Sequence, residues 1–317
     1  MRTFANAGTT RSRAQGCLLG QLSGDALGSY VEFKPETTIA ARHPDGVTKL
    51  QNGGTWNLIA GQATDDSEMA LSLARSLVRH NGFNENDVAL GYVRWRKSDP
   101  FDIGGTTASG IRALELGSRS KSRSQANGAL MRVSPIGIAT AGNPDLAAEW
   151  AILDSKLTHP SHVCQVSNAA FAAAVSVGVA GGTVDEMVAA AVNQAGLDQA
   201  GSTVFERLKA AFNSPPDEYY ENMGWVLTAF QNAFYWLMSG ATLEEAVIAT
   251  VAKGGDTDTN GAICGALLGA AQGVDAIPVQ WRDAVLSCRP DAQTPKPRPQ
   301  EYWPNDVLQL SKALLQI

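Results

Sequence analysis

Two short stretches carry most of the chain's concentrated reactive oxygen. The first is Lys253-Gly254-Gly255-Asp256-Thr257-Asp258-Thr259-Asn260-Gly261, in which two carboxylates and two hydroxyls fall within four residues framed by glycine. In an extended loop, Asp256 and Asp258 would project to the same side. The glycines allow turns sharp enough for several oxygens to converge. Thr259 or Asn260 would then cap the helix expected from the following AICGALLGAAQG run. The plainer alternative is an acid-rich surface turn with a helix cap. The second stretch, Ala63-Thr64-Asp65-Asp66-Ser67-Glu68-Met69, opens a helix whose apolar side holds Met69, Leu73 and Leu77. One N-cap and a favourable helix dipole account for one or two of its acids, not for Thr64, Asp65 and Asp66 together.

The two stretches share one ligand chemistry, carboxylate plus threonine hydroxyl at a helix start. Together they could surround one hard cation, or two about 3.5–4 Å apart as in two-metal hydrolases. Neither stretch contains histidine or cysteine, which argues against zinc and favours Mg²⁺, with Mn²⁺ as the alternative.

The elements that must position these oxygens are helical. The chain has 317 residues, 44% hydrophobic and 18% charged, enough for a large core. Abundant alanine and glycine suggest close-packed helices rather than sheet. From Ala14, Gly16, Gly20, Gly24 and Gly28 recur every four residues and form a ridge that a helix or ligand could approach closely. Asp25 follows Gly24 and reads as a capping or turn-binding acid. Glu32 precedes Phe33-Lys34-Pro35, where the helix would end and expose it as a functional acid.

Residues 34–63 read as irregular, and helices are expected at 165–181, 184–196, 202–213, 222–239, 243–251 and 305–316. The aromatics Trp225, Phe230, Phe234 and Trp236 read as core rather than as an adenine platform. The GSRSKSRSQ segment, with Arg119, Lys121 and Arg123, reads as a solvated loop, with a phosphate clamp as the alternative. An all-α fold is expected, as a single domain over 14–317 preceded by a flexible arm, 1–13.

A net charge of −6 gives no support to nucleic acid as a partner. Cys17, Cys164, Cys264 and Cys288 are scattered, which suggests free thiols in a reducing compartment. The apolar stretch 169–182 is short for a membrane span, so a cytoplasmic protein without membrane contact is expected.

The set GCLLGQLSGDALGSYVEF, TDDSEMA, NGALMRVSPIGI, LTHPSHVC and GGDTDTNGAICGALLGA, in that order from about Ala14 to Gly273, resembles the ADP-ribosylglycohydrolase family. The resemblance implies an all-α hydrolase with a binuclear Mg²⁺ centre that removes ADP-ribose from a modified protein side chain. It implies Thr64, Asp65, Asp66, Asp256, Asp258 and Thr259 as metal ligands. It places Glu32 in metal gating or acid/base work, with Asp65, Asp66 and Asp258 as further catalytic acids. Asn127, Gly128, Leu130, Met131 and Arg132 then match an ADP-ribose-contacting loop, His159 a substrate-binding histidine, and Asp102, Gly104 and Gly105 a cleft-lining segment. Arginine is the first expected linkage and serine the second. A free ADP-ribose derivative is an alternative substrate. Another alternative is an immunity protein that neutralises an ADP-ribosyltransferase toxin, with Arg2, Arg11 and Arg13 as an occluding arm.

Overall fold

The computed structural model describes residues 8–196 and 199–317. In chain order the helices are α1 (Thr10–Gly28), α2 (Glu36–Arg42), α3 (Asp65–His80), α4 (Glu85–Lys97) and α5 (Gly105–Glu115). After a 3-10 turn at Leu130–Arg132 come α6 (Ser134–Ala139), α7 (Pro144–Thr158), α8 (His162–Ala180), α9 (Val184–Ala195) and α10 (Gln199–Ala211). The last five are α11 (Val226–Ser239), α12 (Leu243–Ala252), α13 (Thr257–Gln272), α14 (Val279–Ser287) and α15 (Val307–Leu314). Among the described residues the only β pairing is three isolated bridges, so the fold is all-α.

Local chemistry explains many helix ends. Capping boxes open α9, through Thr183 and Glu186, and α12, through Thr242 and Glu245, each satisfying otherwise orphaned amides. Gly181, at φ 107°, ends α8 in the left-handed conformation.

At the centre, α1 and α13 lie antiparallel along two glycine ridges. A Cβ on Gly20 would sit 2.4 Å from the Gly265 carbonyl oxygen, and one on Gly24 would sit 2.1 Å from that of Gly261. The ridge is therefore a helix contact. It sets the C-terminal end of α1 beside the N-terminal end of α13, where the Thr257 hydroxyl donates to the Gly28 carbonyl at 2.7 Å. The remaining core packs around this pair, with Trp95, Phe171, Phe230 and Phe234 fully buried.

Helix α1 begins at Thr10, four residues ahead of the expected start, with Thr9 accepting from the Ser12 amide. Arg13 is buried and donates to the carbonyls of Gly178 (2.7 Å) and Gly182 (3.0 Å), at the carboxyl end of α8, where a cation is favoured. Arg11 is exposed on α1, whereas Arg2 and the rest of residues 1–7 lie outside the described residues. Helix α8 spans 19 residues, longer than the sequence suggested, and is long and apolar enough to cross a membrane. It serves as a core helix: 83% of its most apolar window is buried, and it packs on α6, α7, α9 and α13.

Candidate metal centre and cleft

Beyond Gly28 the chain leaves the helix, so Glu32 sits in a turn and not at a continuing helix end. It is buried rather than exposed as the sequence suggested. Two hydrogen bonds tie this turn to the start of α13: Phe33 N to Gly255 O (2.8 Å) and Gly255 N to Lys34 O (3.0 Å). Gly254 and Gly255 hold φ of 76° and 75°, and a Cβ on Gly254 would lie 2.4 Å from the Lys34 carbonyl oxygen. Both positions thus require glycine. Thr55 donates to the Glu32 carbonyl at 2.9 Å, while Trp56 Nε1 donates to Glu32 Oε2.

The α13 acids are arranged differently from the extended loop expected. Asp256 is the N-cap residue, and Asp258 lies in the first helical turn, so neither Thr259 nor Asn260 caps the helix. Asp258 Oδ1 accepts from the Thr259 amide at 2.9 Å. Oxygens of Glu32, Asp256 and Asp258 all lie within 4.8 Å of one another. The sequence did not group Glu32 with these ligands.

Thr64 is the N-cap residue of α3, but its side chain makes no cap to its own helix. That work falls to Asp25 on α1, which accepts from Thr64 N (3.1 Å) and Ser67 N (3.1 Å). Asp25 therefore does cap, as its sequence context suggested, but for a helix 39 residues away. Asp65 Oδ2 accepts from the Gly104 amide at 3.3 Å, joining α3 to the entry of α5.

These elements enclose a cavity of about 520 Å³, within the range of small-molecule sites. Glu32, Asp65, Asp102, Asp256, Asp258 and Thr259 form its acidic end. Gly104, Gly105, Asn127, Gly128, Met131 and His159 line the remainder. Asn127 Nδ2 donates to Asp256 Oδ2 at 2.7 Å, linking the two ends. A Cβ on Gly128 would approach Thr107 Oγ1 to 2.5 Å and the His159 ring to 3.0 Å, so only glycine lets this turn close on both.

Four of the expected site residues are not on the cavity wall. Thr64 and Asp66 lie buried behind it. Leu130 is core. Arg132 is fully buried beneath the 3-10 turn, where it pairs with Asp154 at 3.0 Å, donates to Gly128 O at 3.2 Å and stacks over Tyr92 at 4.4 Å. It braces the loop from below.

His159 is buried rather than in an exposed turn. Burial first, and the Arg132 charge second, push its imidazole down to about 3, so it is neutral near pH 7. Its Nδ1 meets Thr158 Oγ1 at 2.8 Å, and its Nε2 has no protein partner.

Several wall residues escaped the sequence reading, among them Phe33, Met223 and Trp225, while Ser124 and Gln125 come from the GSRSKSRSQ segment. Trp225, expected as core, precedes α11 and donates through Nε1 to Gln125 Oε1 at 3.0 Å, with the Arg207 guanidinium 4.6 Å from its ring centroid. The break at Gly224, φ 78°, was the available signal that this aromatic leaves the core helix. The loop 118–125 is largely exposed, as expected, and Arg119 pairs with Glu85.

Among the described residues, no lysine or arginine lines the cavity. Burial, followed by neighbouring carboxylates, raises these acids: Glu32 to about 8, Asp65 to about 8 and Asp102 to about 9. Asp66 and Asp258 are driven well above the usual range by burial and by Asp65 and Glu32, respectively. Asp66 Oδ1 is buried without a hydrogen-bond partner. Convergent hard oxygens, no balancing side-chain cation and an orphan carboxylate oxygen fit a divalent cation such as Mg²⁺ or Ca²⁺.

Known proteins match the chain along most of its length. A family model described as ADP-ribosylglycohydrolase matches residues 6–309. The ADP-ribosyl-[dinitrogen reductase] glycohydrolase of Rhodospirillum rubrum is 32% identical over 278 residues, spanning 86% of this chain and 90% of that protein. ADP-ribosylarginine hydrolase Tri1 of Pseudomonas putida is 27% identical, spanning 86% of this chain and 74% of that protein. Human ADP-ribosylhydrolase ARH3 is 25% identical, spanning 88% and 90%. A solved chain described as an ADP-ribosylglycohydrolase-related protein complex superposes with a TM-score of 0.78 at 27% identity, covering 97% of this chain and 98% of that one. Because these matches run through α1, the acid-bearing turns and α13 alike, the chain belongs to the ADP-ribosylglycohydrolase family.

Proposed function

We propose that this protein is a Mg²⁺-dependent hydrolase that removes ADP-ribose from modified arginine on a protein, with serine the second choice of linkage. The observation that carries the reading is the meeting of Glu32, Asp65, Asp256 and Asp258 at one end of a single cavity. The names of the relatives support ADP-ribosylated substrates, and that of Tri1 supports arginine. An acidic wall without lysine or arginine also suits a cationic guanidinium leaving group.

Thr64, Asp65, Asp66, Asp256, Asp258 and Thr259 would hold the cations, with Mn²⁺ as a substitute. Bound Mg²⁺ supplies positive charge that keeps neighbouring acids ionised and Lewis acidity for hydrolysis of a glycosidic bond. The bond at ribose C1″ breaks through an oxocarbenium-like state, which the surrounding carboxylates stabilise. Glu32, whose Oε2 is oriented by Trp56 Nε1 and whose carboxyl also meets Asp258, is the group placed to take a proton from the attacking water. That proton can return to the leaving nitrogen. Main-chain amides in the first turn of α5, beyond Gly104, and at Gly128 suit the pyrophosphate. His159, neutral, can donate to it through Nε2 when Thr158 donates to Nδ1.

The test is release of free ADP-ribose from arginine- and serine-ADP-ribosylated proteins, with and without Mg²⁺. Asp65→Ala and Asp258→Ala are expected to abolish release and to weaken Mg²⁺ binding. Turnover like wild type in either variant would sink the site assignment.

A further inference from the structure

Asp25 has more work than anchoring a helix. It is fully buried one residue beyond Gly24, and no ion pair reaches it among the described residues. Its carboxylate takes two amides of the α3 start, Thr64 N and Ser67 N, and these two bonds account for its capping role. They leave the Thr64 hydroxyl unexplained. Thr64 Oγ1 lies 2.9 Å from Asp25 Oδ1 and 3.1 Å from Asp66 Oδ2.

A hydroxyl has one proton and two lone pairs, so Thr64 can donate to only one of these carboxylates at a time. If the proton points to Asp66, it occupies an oxygen that a cation would need and places a positive hydrogen on the cation's side. With the proton on the Asp25 side, the Thr64 oxygen offers only lone pairs toward Asp66. Asp25 Oδ1 is the nearer acceptor, 2.9 Å against 3.1 Å, so the Thr64 proton is directed to the Asp25 side.

We propose that Asp25 is a positioning residue for the cation site: it takes the single Thr64 proton and so converts the Thr64 hydroxyl into a ligand facing Asp66. This inference rests on the metal reading above, and it adds a residue outside the ligand set and off the cavity wall. Partners that orient metal ligands generally set affinity as strongly as this role requires.

The experiment is a calorimetric Mg²⁺ titration of the full chain without substrate, on wild type, Asp25→Asn, Thr64→Val and the double variant. The side-chain amide introduced by Asp25→Asn can donate to the Thr64 oxygen and turn the Thr64 proton toward Asp66. Asp25→Asn is therefore expected to weaken Mg²⁺ binding about 10- to 100-fold. In the Thr64→Val background the same substitution is expected to change affinity by no more than about twofold, because its effect runs through the missing hydroxyl. Full multiplication of the two single losses would overturn the proposal, since Asp25 would then act only as a helix anchor or through its charge. Undiminished affinity in Asp25→Asn would overturn it as well. Absence of Mg²⁺ binding in folded wild type would instead remove the metal reading itself. If circular dichroism shows Asp25→Asn unfolded, Thr64→Ser and Thr64→Val decide. Serine must retain affinity and valine must lose it; a folded Thr64→Val with wild-type affinity overturns the proposal.

Discussion

Gly24 and Gly261 touch backbone to backbone: a Cβ on the first would lie 2.1 Å from the carbonyl oxygen of the second, and one on the second 2.6 Å from that of the first. This contact sits one residue from Asp25 and three from Asp258, so the spacing of α1 and α13 sets the spacing of the acids. Gly24→Ala is expected to destabilise the fold by about 1–3 kcal/mol through overpacking. Because the helices must part to admit the methyl group, Mg²⁺ affinity should fall in the same variant. Urea denaturation and calorimetry check the two effects, and loss of stability with unchanged Mg²⁺ affinity would uncouple the contact from the site.

Binding of Mg²⁺ should stabilise the native state, since only that state gathers Asp65, Asp256 and Asp258. At a free Mg²⁺ concentration about 100 times the dissociation constant, linkage gives an increment of about 2.7 kcal/mol. Melting in Mg²⁺ and in chelator measures it, and Asp258→Ala should abolish most of the difference.

His159 makes a separable contribution to acid sensitivity. Its folded value, about 3, lies below the ordinary value of 6.5, so the unfolded chain binds the extra proton between these limits. The resulting stability is present above about pH 6.5 and is lost as pH falls toward 3. In that window His159→Gln should flatten the stability profile relative to wild type by at most about 1.4 kcal/mol per pH unit. Parallel urea titrations at several pH values would show it; coincident profiles would mean that His159 is not buried neutral.

The buried pair of Arg132 and Asp154 braces the cavity-lining turn at Asn127–Met131 from beneath. Asp154→Ala strands a guanidinium with 0% side-chain exposure and should cost about 3–5 kcal/mol. Since Arg132 also holds Gly128 O, the variant should bind ADP-ribose more weakly than wild type at temperatures where it remains folded. Denaturation and equilibrium ADP-ribose binding test the two halves of this expectation.

The sequence by itself determined the helical character and the acid chemistry. Glycine every fourth residue places a groove on one helix face, and Ala-rich runs, with capping boxes at the starts of α9 and α12, mark helices; both are local rules of period and capping. Thr64-Asp65-Asp66 and Asp256-Thr257-Asp258-Thr259 were legible as hard-ligand clusters because the donor types alone carry that information. Tertiary structure decided which surfaces these residues face. The glycine ridge meets α13, Asp25 caps α3 rather than its own helix, and Glu32 is buried beside Asp256 and Asp258. Arg132 turns to Asp154 beneath the cavity, while Trp225 leaves the core for its wall. Each of these depends on a partner distant in the chain. Side-chain period and local propensity fix a residue's place on its own helix, whereas its partner is set by how the helices pack.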